Sequence, residues 1–304
     1  MEILRTPEER FDDLVDYPYE PTYLEVPTSK GSTTRLRVAV VDEGPRDATV
    51  ALLLHGEPSW GYLYRHLIPP LVAAGLRVVV PDLVGFGRSD KPAQRRDVTY
   101  AAMVAWMDEA LFGQLGLDDV VLCCQDWGGL IGLRLLAAHP ERFCGAVVAN
   151  TGLPTGERAP TDAFLAWQHF SQTTEVLPIG ALLQGGTTRT LTDAEVAAYD
   201  APFPDERYKE VARQLPSLVP SSLEDPASAD NLAAWEVLRR FEAPLLCAFS
   251  DADPITRGGN RIFEREVPGA NGTPHRTLVG GGHFLQEDCP EELAQAVLDC
   301  LALR

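Results

Sequence analysis

Asp126 stands at the centre of "CCQDWGG" (123–129), after an apolar run and before a helical pattern. That is the layout of a sharp strand-to-helix turn which lifts one side chain above a sheet. A carboxylate needs no deprotonation at neutral pH and can displace a leaving group from a saturated carbon directly, giving an alkyl ester. Water can then attack the carbonyl carbon of that ester, provided a base activates it and donors hold the oxyanion. The base is available in "LVGGGHFLQE" (278–287), where His283 hangs from a glycine-rich loop between the last apolar run and a helix starting near Pro290. Fixing the imidazole requires an acid, and "LLCAFSDADPITRG" offers Asp251 and Asp253 just past a strand. Asp253, deeper in the loop and directly before Pro254, is favoured; Asp251 suits a turn or a cap. The chain order is then nucleophile Asp126, acid Asp253, base His283.

The leaving group decides the reaction. Halide is weakly basic and needs no proton, but its developing charge in an apolar pocket needs hydrogen-bond donors. The indole N–H of Trp127 is a donor with no acceptor capacity, adjacent to the nucleophile. Plain alternatives exist: Asp126 as a helix N-cap, and Trp127 as simple packing. The loop "LLLHGEPSWGYLYR" (52–65) follows another strand, and beside a nucleophile-bearing strand-to-helix turn the main-chain N–H groups of such a loop face the turn. The backbone N–H groups of Glu57 and Trp127 are therefore expected to form the oxyanion hole. His55 suits structural hydrogen bonding in that loop. His66, His139, His169 and His275 have no comparable setting.

Several elements must position these groups. Apolar runs recur at 36–41, 50–54, 77–80, 120–124, 146–149, 244–249 and 276–279, with helical patterns between most of them, as at 62–73, 100–115 and 127–138. Strands apolar throughout and alternating with helices predict an α/β fold with a mostly parallel sheet covered on both faces. The short turn around Gly44 and Pro45 predicts an antiparallel start between the first two runs. From about 153 to 230 the rhythm breaks into helical segments with many prolines. A helical cap over the sheet's carboxyl edge explains it, and ligands of open α/β sheets bind at that edge. The expected division is core 1–153, cap 154–230 and core 231–304.

A formal charge of -18 opposes a surface built for phosphates or anionic lipid, so neither nucleic acid nor a membrane is expected as partner. Six cysteines without a CxxC pair read as buried free thiols of a cytoplasmic protein. No metal or cofactor is called for, because the histidines lack metal spacing and no glycine loop has the context of a phosphate cradle.

Taken together, "HGEPSW", "QDWGG" and "APFPD" resemble the haloalkane dehalogenases, α/β-hydrolases that cleave carbon–halogen bonds with water, and the likeness runs along nearly the whole chain. Many members carry asparagine as a halide donor after the His-Gly pair. This chain has Glu57, which when ionised cannot donate from its side chain. The resemblance implies instead the branch with a cap tryptophan as second halide ligand, here Trp167 in "DAFLAWQHF", with Trp60, Trp106 and Trp235 left to packing. That branch takes its acid after the later strand, consistent with Asp253, while the earlier strand ends in the non-acidic Asn150. By the same comparison Phe164, Phe203, Leu130 and Ile255 line an apolar pocket, or else form the core of the cap. The implied partners are a small apolar halogenated substrate, water and halide ion, and the expected state is a monomer. Two other readings compete. An epoxide hydrolase would use the same triad with cap tyrosines such as Tyr199 and Tyr208, and a ligand-binding member of the fold would be catalytically idle.

Overall fold

The computed structural model describes residues 1–304. Ten strands form: β1 (Ile3–Leu4), β2 (Thr22–Pro27), β3 (Arg35–Glu43), β4 (Val50–Leu54), β5 (Arg77–Pro81), β6 (Lys91–Pro92), β7 (Val120–Gln125), β8 (Phe143–Ala149), β9 (Leu245–Ser250) and β10 (Arg276–Leu278). Every residue of β4, β7 and β9 is buried, as expected of strands covered on both faces. Successive side chains alternate between those faces. Leu122 meets Gly132 of the helix Trp127–Ala138, whereas its neighbour Val121 lies on the side where Cys300 of the helix Pro290–Leu301 approaches Gly145.

The main sheet has eight strands in the order β10-β9-β8-β7-β4-β5-β3-β2, and β1 pairs with β6 in a separate ribbon. From β10 to β5 all pairings are parallel, while β3 runs antiparallel to both β5 and β2. The antiparallel start is thus present with different partners. β3 does not pair with β4, because β5 lies between them, and the hairpin mate of β3 is β2. β2 carries no apolar run, being an edge strand with only Val26 buried.

Between β8 and β9 there is no strand but a series of helices: Asp162–Thr173, Ile179–Gly185, Asp193–Asp200, Glu210–Leu218 and Ser228–Leu238. The last of these spans residue 230 and sits on the core helix Trp127–Ala138, where Arg134 donates to Asn231 at 3.1 Å and to Asp230 at 2.9 Å. A second tie is ionic. Arg65, fully buried, donates to Glu287 at 2.5 Å and to Glu195 of the inserted helices at 2.7 Å. Tyr199 and Arg189 bond the same Glu287. Arg65→Ala would leave two buried carboxylates short of a counter-charge, so it is expected to lower unfolding free energy by about 3–5 kcal/mol, read from a denaturant midpoint.

Candidate active site

β4, β7, β8, β9 and β10 all deliver their next residues to one edge of the sheet, so His55–Glu57, Asp126, Asn150, Asp253 and His283 gather there. Asp126 follows β7 with φ 51° and ψ −126°, a left-handed conformation unusual for a side-chain-bearing residue. Its side chain makes no capping bond to the helix that follows, so the N-cap alternative fails. The turn is possible because its neighbours are small. A Cβ on Gly128 would come within 2.0 Å of the Leu54 carbonyl oxygen, and one on Gly56 within 2.4 Å of the Asp126 Cβ.

Asp126 Oδ1 accepts the main-chain N–H of Glu57 at 2.8 Å. The N–H of Trp127, at the first helical position, has no intrahelical acceptor. Thr151 Oγ1 donates to the Asp126 carbonyl at 2.7 Å and steadies the turn from behind. His55 performs the structural task expected of it, with Nδ1 on the Gly56 carbonyl at 3.0 Å and Nε2 accepting from Leu83 N–H at 2.9 Å. Burial holds its ring down to about 4, so it stays neutral.

His283 Nδ1 lies 3.0 Å from Asp253 Oδ2, and its Nε2 lies 3.6 Å from Asp126 Oδ2. Asp253 is fully buried and also accepts the Ile255 N–H at 2.8 Å and the Thr256 hydroxyl. Burial alone would raise this carboxyl, but the imidazole and those donors outweigh it and bring it to about 2. Burial likewise pulls His283 down, but the carboxylates of Asp253 and Asp126 prevail and lift it to about 10. Gln125 Nε2 stands 3.1 Å from His283 Nε2. The two neighbours of that nitrogen therefore suit opposite protonation states: Gln125 donates to the neutral ring, and Asp126 attracts the charged one. Asp251 is elsewhere, exposed and accepting the Gly280 N–H at 2.8 Å as a turn residue.

A cavity of 860 Å³ opens over these groups, lined among others by Asp126, Trp127, Trp167, Phe164, Leu130 and Ile255. The five tryptophans divide by what their indole N–H meets. Trp60, Trp106 and Trp235 donate to the carbonyls of Ala198, Thr28 and Leu153. Trp127 and Trp167 donate to no carbonyl and face the cavity; the Trp167 N–H looks toward the Glu57 carboxyl. Phe203 is a correction. It does not line the cavity but packs edge-on against Phe86, ring centroids 6.4 Å apart, as part of the core. No tyrosine lines the cavity, and Tyr199 is fully buried with its hydroxyl on Glu287.

Two positioning residues were missed from sequence. Asn150 donates to the His283 carbonyl at 3.2 Å and the Gly282 carbonyl at 2.9 Å, and Gln125 donates to the His283 carbonyl at 3.2 Å. Together they pin the loop that bears the imidazole. A buried amide at the end of each apolar strand was the available signal.

Over residues 50–290 the chain matches the family of the alpha/beta hydrolase fold. It is 53% identical over 298 residues to the haloalkane dehalogenase of Psychrobacter cryohalolentis, with 98% of this chain and 97% of that one covered. The haloalkane dehalogenase of Mycobacterium marinum is 46% identical, with 98% and 99% covered. Among solved structures, the tetrameric haloalkane dehalogenase DpaA of Paraglaciecola agarilytica has a TM-score of 0.89 at 34% identity, covering 98% of both chains. A shared fold and this degree of likeness along almost the full length establish that the chain belongs to the haloalkane dehalogenases, hydrolases of the α/β-hydrolase fold that act on carbon–halide bonds.

Proposed function

We propose that the chain hydrolyses haloalkanes through an alkyl ester of Asp126, with a cap at 154–230 closing over a core of 1–153 and 231–304. Asp126 Oδ2 attacks the halogen-bearing carbon as the carbon–halogen bond breaks, and the halide departs with the bonding pair. Oδ1, already on the Glu57 N–H, becomes the carbonyl oxygen of the ester. His283 Nε2 then takes a proton from water while the hydroxide adds to the ester carbon. The oxyanion rests on the N–H groups of Glu57 and Trp127. Collapse breaks the bond between the Asp126 carboxyl carbon and the alkoxy oxygen (Oδ2), His283 returns the proton to the departing alkoxide, and alcohol plus restored Asp126 result.

The observation that carries this reading is the division of the tryptophans: of the three that line the Asp126 cavity, Trp235 gives its N–H to the Leu153 carbonyl, while Trp127 and Trp167 are the two whose N–H no carbonyl takes. Indole donors that no carbonyl occupies, close to a nucleophilic carboxylate, suit an anionic leaving group that cannot be protonated. The same cavity offers no phenol to protonate an epoxide oxygen, which disfavours the epoxide hydrolase reading. A catalytically idle binder would have no use for an imidazole braced between two carboxylates.

Halide release from chloro-, bromo- and iodoalkanes of graded length, measured beside epoxide opening, tests the reading. Trp127→Phe and Trp167→Phe should each weaken halide quenching of fluorescence. An unchanged response in the Trp167 variant removes that residue from the halide site. Free thiols on all six cysteines support a reducing, cytoplasmic setting. A monomer of 33.2 kDa is our expectation; light scattering at four times that mass would instead match the tetrameric relative.

A further inference from the structure

Glu57 has a side chain that the two-step scheme leaves idle. It is only 4% exposed, it lines the cavity with Asp126, Trp127 and Trp167, and its Oε1 has no hydrogen-bond partner. An ionised carboxylate left so would carry a heavy desolvation cost. Burial, and after it the charge of Asp126, push this carboxyl well above the ordinary carboxylate range, and the opposing pull of His283 and the Trp167 indole is weaker. The group is therefore a neutral acid with one O–H to donate and acceptor capacity to spare. The Trp167 indole is close enough to act on this carboxyl, and the O–H is left for whatever enters the cavity. This revises the expectation that Glu57 cannot donate: that holds for the anion, and the site is built against the anion.

We propose that the carboxyl of Glu57 is a third halide ligand, its O–H joining the indole N–H groups of Trp127 and Trp167 around the departing anion. The inference rests on the dehalogenation reading of this site. It gives the side chain a task separate from the main-chain N–H of the same residue, which holds Asp126 Oδ1. It also explains a carboxyl where an anion is to be received. A neutral acid stabilises halide, whereas an ionised one would repel it.

A competing role has the opposite sign. If Glu57 merely occupies the Trp167 N–H, removing it frees that indole and halide binds more tightly. Chloride, bromide and iodide are therefore to be titrated by tryptophan fluorescence into the full-length wild type, Glu57→Gln and Glu57→Met. Glutamine keeps a donor in nearly the same shape; methionine keeps the bulk and loses the donor.

The expected result is halide affinity close to wild type for Glu57→Gln and weaker by about tenfold or more for Glu57→Met, the scale of a hydrogen bond to a charged group. The loss should be largest for chloride, the strongest acceptor of the three. Glu57→Leu supplies the same comparison should the methionine variant fail to fold. Unchanged or tighter halide binding in the donorless variants, with dehalogenation intact in the wild type, overturns the third-ligand assignment alone. A wild type that neither binds halide nor releases it from any haloalkane overturns the functional reading itself, and this inference with it.

Discussion

A His283→Gln variant is expected to release about one equivalent of halide per chain and then stop, with the alkyl group retained on the protein. Displacement of halide uses no base, because the attacking carboxylate carries its own charge. Only the second step needs Nε2. Steady-state turnover should fall by about 10²–10⁴-fold, the usual contribution of a positioned general base, while the burst persists. The fold should survive, since Asp253 keeps its bonds to Ile255 and Thr256.

Intact-mass measurement after mixing with a bromoalkane should show one added alkyl group. Bound substrate without an adduct, in a correctly folded variant, counts against the assignment. A pH dependence accompanies this in the wild type. In the resting enzyme two carboxylates hold the imidazole charged up to about 10. Alkylation cancels the charge of Asp126, so burial gains ground, the ring's ionisation falls, and a neutral base appears when it is required. Ester hydrolysis should therefore speed up as pH rises and level off below that value, in single-turnover decay of the adduct.

The second large effect is expected for Asp126→Ala, which should abolish the burst along with turnover, a loss of about 10⁶-fold in rate if it resembles nucleophile removal in other hydrolases. The contrast between the variants is the informative part. One loses only the step that regenerates enzyme, and the other loses both. Alanine inherits the left-handed backbone of the elbow, so some loss of stability is expected as well, and a melting curve should accompany the kinetics. Halide release surviving in Asp126→Ala at near wild-type rate would mean that water attacks the substrate carbon directly.

How much of this was legible in the chain follows from where the forces act. Asp126, Asp253 and His283 each sit just past an apolar strand, and in a parallel sheet all such ends fall on one edge, so local pattern was enough to bring them together. Strand pairing is not local. Nothing between residues 36 and 54 reveals that β5 inserts between β3 and β4, and β2, half in water, lacks the apolar signature of its neighbours. Phe203 looks like a pocket residue by type, yet its neighbour is Phe86, far off in sequence.

Asn150 and Gln125 were hidden for a related reason. Their amides matter only once the loop carrying His283 is laid across them. Glu57 shows the limit most clearly, because its identity was plain while its protonation depends on burial and on the charge of Asp126.

The most direct test is a single turnover in water enriched with oxygen-18, followed by mass analysis of the alcohol and of the peptide containing Asp126. Attack of water on the ester carbon leaves the heavy isotope in the Asp126 carboxylate, while the alcohol departs with an oxygen that had belonged to the protein. Label appearing first in the alcohol, with Asp126 unlabelled, would contradict the covalent route.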